Sequence, residues 1–233
     1  MTLNSGNIAV LEFTAMCLMF RLIHNSHHTW AASVLGTIAT MKLLPIAFFA
    51  ALPTTRSRIQ CLAAFAAVTI IGMAIAPSYL PEYIRCVAGL QGYASVTSEL
   101  HISSMDNQAI YQYGPVASLC IIALISLASV FVWKRSSDAM ERTAIIILAI
   151  FLVFPRIPPH AFLAYAAVPI LVLYQSLSSK FKWIIVAILI ASSWLLVCRA
   201  AGVNVPSTVQ YWTTVACLAV IAINKRCYPH TTT

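Results

Sequence analysis

Eight stretches of this chain are apolar enough to cross a bilayer, and this feature restricts the fold more than any other. They occupy residues 8–23, 30–53, 58–76, 115–133, 143–154, 160–177, 183–199 and 208–223. Most are close to the ~20 residues that a helix needs to cross the hydrocarbon core, and none shows the ~10-residue alternation of a membrane β-strand. Helices satisfy their own backbone hydrogen bonds in lipid. The sequence therefore predicts an all-α, multi-pass transmembrane bundle of about eight helices, forming one domain over residues 1–233.

The composition excludes an ordinary water-soluble domain. Hydrophobic residues make up 61% of the 233 residues and charged residues only 9%, whereas soluble domains carry about 25% charged residues. The net charge of +8 does not indicate a nucleic-acid partner, because the basic residues are scattered among short loops. The seven cysteines lack metal-ligand spacing, and no phosphate-binding glycine loop is present. We therefore predict neither a metal nor a cofactor.

The distribution of lysine and arginine predicts which ends of the helices face the cytoplasm. Basic residues near the ends of spans tend to stay on the cytoplasmic side. Nine of them share one side: Arg56, Arg58, Lys134, Arg135, Arg142, Lys180, Lys182, Lys225 and Arg226. The other side receives four, namely Arg21, Arg85, Arg156 and Arg199. We predict a plasma-membrane protein with both termini in the cytoplasm and the long loop 77–114 outside.

Lys42 lies inside the second apolar segment, three residues before Pro45. A charge within the bilayer costs about 2.5–3.5 kcal/mol on insertion scales, and a proline kinks or breaks a helix. A cation beside a broken helix suits a phosphate group. Two alternatives remain, since Lys42 could snorkel past the kink or pair with Glu12 in the first segment. Glu12 lies about one turn inside that segment and could also snorkel to the surface.

A second cationic group stands in a proline-rich turn at the outer end of the sixth segment. The turn reads Phe154-Pro155-Arg156-Ile157-Pro158-Pro159-His160, and Tyr165 follows it. The guanidinium of Arg156 is a forked donor that suits phosphate oxygens, and His160 can donate a hydrogen bond or a proton near neutral pH. The alternative is an interfacial belt of Arg, His and Tyr side chains.

The order of these pieces resembles a known family. Ser5-Gly6-Asn7-Ile8 opens the first apolar segment, and Lys42-Leu43-Leu44-Pro45 follows a helix of small residues and precedes a basic turn. The long outer loop ends in Asp106-Asn107-Gln108-Ala109, and the Arg156, His160 and Tyr165 turn comes later. Over roughly residues 4–176 the chain resembles the C-terminal part of glycosyltransferase family 87.

The resemblance implies a membrane enzyme of the GT-C fold that takes a sugar, such as mannose or arabinose, from a polyprenyl-phosphate donor. Its partners would be membrane lipid, the lipid-linked donor and a glycan or glycolipid acceptor. We expect Lys42, Asn107, Arg156, His160 and Tyr165 to bind the substrate.

The chain departs from the family pattern in two places. It has Ala109 where the family commonly has serine, which removes a hydroxyl contact. Enzymes of this fold also place their acidic catalytic residue between the first two helices, and here the resemblance begins several helices later. We therefore expect an N-terminally incomplete or divergent form that lacks the catalytic acidic loop. No catalytic residue is assigned, although Asp106 and Glu99 on the outer side are candidates.

A non-enzymatic protein is the alternative function. A small transporter or an assembly subunit could use Glu12 and Lys42 as a coupling pair and the outer loop as a docking surface. Transporters commonly contain repeats with matching broken helices. Pro45 and Pro169 interrupt apolar segments in the two halves of the chain, but the residues around them do not match.

Overall fold

The structure of the protein, a computed structural model, describes residues 4–40, 47–75, 77–79, 114–153, 163–203 and 209–228. Within these ranges the chain forms α-helices and no β-strand, which confirms the predicted all-α class with about eight helices. The helices are α1 (Asn4–His24), α2 (His28–Ala39), α3 (Thr55–Ile75), α4 (Pro115–Arg135), α5 (Ala139–Val153), α6 (Val168–Gln175), α7 (Ser179–Ala200) and α8 (Val209–Cys227). Short 3-10 turns at Phe48–Ala51 and Pro77–Tyr79 and a π-helical turn at Leu163–Ala167 complete the described elements.

Each predicted apolar segment contains an α-helix. In the second segment, 30–53, the helix α2 has 12 residues and ends at Ala39, and a separate 3-10 turn follows at Phe48–Ala51. The kink or break predicted at Pro45 lies outside the described residues. Near the end of α2, threonine hydroxyls form hydrogen bonds with backbone carbonyl oxygens. Thr37 Oγ1 donates to Ser33 O at 2.9 Å, and Thr40 Oγ1 donates to Thr37 O at 2.7 Å. Side chains that bond to nearby backbone groups compete with helix continuation.

Two of the described helices are long and apolar enough to cross a membrane, and these are α3 and α4. Both leave most of their apolar side chains exposed. Those of α3 include Ile59, Ile70, Ile71 and Ile75, and those of α4 include Val116, Leu119, Leu124 and Leu127. Contiguous exposed apolar surface of this extent is typical of contact with lipid or with another protein.

The contacts group the chain into two compact units. Unit 1 comprises residues 1–14 and 104–233, and unit 2 comprises residues 15–103. The prediction of one transmembrane domain over 1–233 stays a prediction.

Unit 2 is organised by the packing of α2 against α3. A side chain on Gly36 of α2 would meet the Cys61 carbonyl and would lie 2.9 Å from Cβ of Ala64, both on α3. Glycine at this position therefore permits the two backbones to approach closely, as small residues do between membrane helices. A hydrogen bond from Gln60 Nε2 to Ser33 Oγ, at 3.3 Å, also joins the two helices.

Unit 1 is built around α5, whose side chains are buried along most of its length. This helix packs against α4, α6 and α8, and α8 also packs against α4 and α7. The buried residues of α5 include Ala144, Ile145, Ile147, Leu148 and Leu152. Because α5 is apolar on nearly every side, it becomes the centre of the unit rather than a surface helix.

Candidate functional site

Tyr165 lies on the π-helical turn Leu163–Ala167, directly before α6. Proline at position 169 has no backbone N–H, so it cannot donate to the Tyr165 carbonyl one helical turn earlier. Loss of that bond explains why the chain enters α6 through a wider turn. Turns of this type are frequent at functional sites. The Tyr165 side chain is completely buried.

Glu12 of α1 is the ionisable neighbour of Tyr165. Its side chain is also completely buried, and the Glu12 carboxylate interacts electrostatically with the Tyr165 hydroxyl. Both residues belong to unit 1. Burial corrects the interpretation of Glu12 as a snorkelling residue, because none of its side chain reaches the surface.

The Glu12–Tyr165 pair is the candidate functional site. An ionisable residue within an apolar span is costly to bury and is therefore a functional candidate by default. The sequence identified each residue, but it did not predict their contact. Pairing of Glu12 with Lys42 was one alternative, and it stays a prediction because Lys42 lies outside the described residues. One feature of the sequence could have indicated the contact between Glu12 and Tyr165. Each residue is a polar group in an otherwise apolar helical segment.

The remaining predicted site residues lie outside the described part of the chain. Among them are the substrate-binding candidates Lys42, Asn107, Arg156 and His160 and the catalytic candidates Asp106 and Glu99. Their assignments stay predictions, as does the role of Tyr165 in binding substrate.

A second buried carboxylate, Glu141, lies at the start of α5 and pairs with Lys225 near the end of α8. Lys225 Nζ donates to Glu141 Oε2 at 2.9 Å, and the Lys225 side chain is 1% exposed. Glu141 precedes the predicted fifth apolar segment. Burial favours its neutral form, but hydrogen bonds from Ser176, Lys225 and Ser136 and the charge of Lys225 outweigh burial and lower the pKa of Glu141. This ion pair was not predicted from the sequence.

Further polar contacts surround the ion pair. Arg135 Nη1 at the end of α4 donates to Lys225 O at 2.8 Å, and its guanidinium lies 4.6 Å from the Phe131 ring. Ser178 N, just before α7, donates to Asn224 Oδ1 at 3.1 Å. The end of α4, the start of α5, the start of α7 and the end of α8 thus meet at one end of unit 1. These are the segment ends that the basic residues had grouped together.

A family model for glycosyltransferase family 87 matches residues 1–155. The match includes Glu12 and Glu141 but ends before Tyr165. Comparison with curated proteins and with solved structures gave no match. Since the family match covers more than half of the chain and agrees with the resemblance seen in the sequence, this chain belongs to glycosyltransferase family 87.

Proposed function

We propose that the chain is part of a multi-pass membrane glycosyltransferase that takes its sugar from a polyprenyl-phosphate donor. The observation that carries this proposal is the family match over residues 1–155. The exposed apolar faces of α3 and α4 support a location in the bilayer, where a polyprenyl chain would be dissolved. The acceptor is a glycan or glycolipid at the outer surface.

The chemistry of the transfer requires two kinds of protein group. The donor's phosphate is the leaving group, and fixed cations and hydrogen-bond donors stabilise the charge that develops on it. We assign this role to Lys42, Arg156 and His160, with Asn107 beside them. A carboxylate must take the proton from the acceptor hydroxyl, a contribution of about 10²–10⁴-fold in rate. Asp106 and Glu99 are the candidates for that base.

Tyr165 and Glu12 extend the proposed donor site into the protein interior. The Glu12 carboxylate acts electrostatically on the Tyr165 hydroxyl and so favours one orientation of the phenol O–H. A held hydroxyl is suited to contact the donor's polar part at the inner edge of the site. In this proposal Tyr165 contacts the donor, and Glu12 is a positioning residue.

Binding of a fluorescent polyprenyl phosphate to the full chain tests the donor assignment. We expect Tyr165→Phe to weaken binding by about two- to tenfold, as expected for one hydrogen bond. Tyr211→Phe is the matched control, because Tyr211 is equally buried in α8 of the same unit. Lys42→Met and Arg156→Met should each weaken binding by at least about 30-fold, since each removes a charged partner. Arg226→Met, which changes an exposed cation of α8, should bind normally.

Equal binding by the parent and by the Tyr165→Phe, Lys42→Met and Arg156→Met variants would contradict the donor assignment and favour the transporter or assembly function. Sugar transfer by the same preparations tests the base. Activity that is lost in Asp106→Asn or in Glu99→Gln would identify the residue and show that the base lies within this chain.

The predicted topology can be tested independently of donor binding. Single cysteines at positions 101 and 137, introduced by His101→Cys and Ser137→Cys in a cysteine-free background, should differ in their labelling by an impermeant maleimide. We expect labelling of position 101 from outside the cell and protection of position 137, because Lys134, Arg135 and Arg142 flank position 137. The reverse result would place on the cytoplasmic side every site that is assigned here to the outer surface.

A further inference from the structure

A groove runs between α4 and α5 of unit 1. Its volume is about 280 Å³. The residues that line it include Ser126, Ser129 and Trp133 of α4 and Ile146, Ala149 and Ile150 of α5. Ser126 and Trp133 are seven residues apart, which is about 10 Å along a helix at 1.5 Å per residue. One leaflet of the hydrocarbon core is about 15 Å thick. The groove is therefore long enough to hold about two thirds of one acyl chain, measured from the end nearest the headgroup.

One end of this groove is cationic. Trp133 is 40% exposed there, and the guanidinium of Arg142 lies 5.4 Å from the centre of its ring. Arg142 Nε donates to the Ser136 carbonyl at 2.8 Å. That bond fixes the orientation of the side chain while using one of the five guanidinium N–H groups. Arg142 is exposed, so the other donors can meet a ligand.

The net charge at this end is positive. Lys134 and Arg135 are exposed at the end of α4, and the exposed acidic residue in the connection to α5 is Asp138. Glu141, in the first turn of α5, is buried and neutralised by Lys225. An anion at the mouth of the groove would therefore meet an excess of fixed cations.

Ser129 supplies a polar group inside the groove. It is 6% exposed, and its hydroxyl has no hydrogen-bond partner within the described part of the chain. A buried hydroxyl without a partner is unfavourable. Ser129 lies four residues from Trp133, about 6 Å deeper along the helix. In a glycerophospholipid the ester carbonyls lie at a similar depth below the phosphate.

We propose that this groove binds an anionic glycerophospholipid, with its phosphate at Arg142, an ester carbonyl at Ser129 and one acyl chain along α4 and α5. Charge complementarity favours an anionic headgroup over a zwitterionic one. The groove mouth also lies on the side that the basic residues place in the cytoplasm, where anionic lipids give the leaflet a negative surface potential. This site is separate from the Glu12–Tyr165 pair, and it does not depend on the donor of the glycosyl transfer.

Quenching of Trp133 fluorescence by brominated lipids tests the proposal. The full chain carries Trp30, Trp183, Trp194 and Trp212 replaced by Phe, so that Trp133 alone reports. It is reconstituted with brominated phosphatidylglycerol or with brominated phosphatidylcholine. We expect phosphatidylglycerol to bind about fivefold more tightly, which corresponds to the contribution of one cation near an anionic membrane surface.

Three variants separate the parts of the site. Arg142→Gln should reduce the ratio of the affinities for phosphatidylglycerol and phosphatidylcholine to near one. Arg142→Lys should retain most of the preference, which would show that the effect of Arg142→Gln comes from the lost charge and not from a loss of structure. Ser129→Ala should weaken the binding of both lipids by about two- to tenfold, because both contain ester carbonyls. Arg226→Gln, which removes an exposed cation that does not line the groove, should preserve the preference.

Equal quenching by the two lipids in the parent protein would overturn the proposal and make the groove an ordinary lipid-facing surface. A preference that survives in Arg142→Gln would also overturn it, because the cation would then lie elsewhere. Absence of quenching by both lipids would show that another protein surface covers the groove and would equally contradict a lipid occupant.

Discussion

Unit 1 contains two buried carboxylates whose surroundings differ. Glu141 forms a 2.9 Å ion pair with Lys225, and serine hydroxyls assist in holding its charge. Glu12 lies in the interior beside Tyr165, whose hydroxyl is uncharged. The first arrangement compensates a charge fully and joins the ends of two helices. The second places a carboxylate beside a group that can also contact a ligand. The comparison suggests that the ion pair stabilises the unit and that the Glu12–Tyr165 pair serves its function.

The largest expected effect tests the ion pair. Lys225→Met should lower the stability of the protein by about 3–5 kcal/mol, because it leaves the buried Glu141 charge without its partner. Thermal unfolding in detergent would measure the change. Arg226→Met is the matched control, since Arg226 is the adjacent but exposed cation, and it should change stability by no more than about 0.5 kcal/mol. A similar loss in both variants would remove the distinction between the pair and an ordinary surface charge.

The same substitution at the two carboxylates sharpens the comparison. Glu141→Gln should destabilise the protein by about 1–3 kcal/mol, because the amide can still accept a hydrogen bond but no longer balances the Lys225 charge. Glu12→Gln should change stability by less than about 1 kcal/mol, because its neighbour Tyr165 is uncharged and the substitution leaves no opposite charge unbalanced.

The effects of the two substitutions on donor binding should have the opposite order to their effects on stability. We expect Glu12→Gln to weaken polyprenyl-phosphate binding and Glu141→Gln to leave binding unchanged in the folded fraction. If Glu12→Gln instead lowers stability as much as Glu141→Gln and has no effect on binding, both carboxylates are structural.

The smallest expected effect is on the response to pH. The pKa of Glu141 is lower in the folded protein than its ordinary value. Its ionised form therefore contributes stability above the unfolded pKa of about 4.3. That contribution decreases as the pH falls through the folded pKa. Melting temperatures between about pH 6 and pH 3 should decline in the parent and decline less in Glu141→Gln. A parallel decline in both proteins would assign the acid sensitivity to other groups.

The helices were predictable from the sequence because hydropathy is a local property. The runs that become α3 and α4 satisfy their backbones internally and expose apolar side chains, and no distant contact is needed to recognise them. In the second segment the helix α2 ends at Ala39, before Pro45, where the sequence predicted a kink or break. Hydroxyl bonds near Thr37 and Thr40 compete with the helix there, and a window of average hydropathy does not detect them.

The candidate site was predictable only in part. Tyr165 was identified from its turn, and Glu12 was noted as an ionisable residue in an apolar segment. Their contact was not predicted, because residues so far apart in the chain meet only through the packing of α1 and the turn before α6. The Glu141–Lys225 pair was missed for the same reason. Lysine near the end of a span is usually an interfacial residue, and its burial depends on which helix packs beside it.

The sequence by itself determined the all-α class, the approximate positions of the helices and the family, because each follows from local composition or from short motifs along the chain. The tertiary structure decided which polar groups became partners. Burying a charge is unfavourable unless another group compensates it, and only helix packing determines which group is near enough to do so. In this protein that packing joined Glu141 to Lys225 and Glu12 to Tyr165.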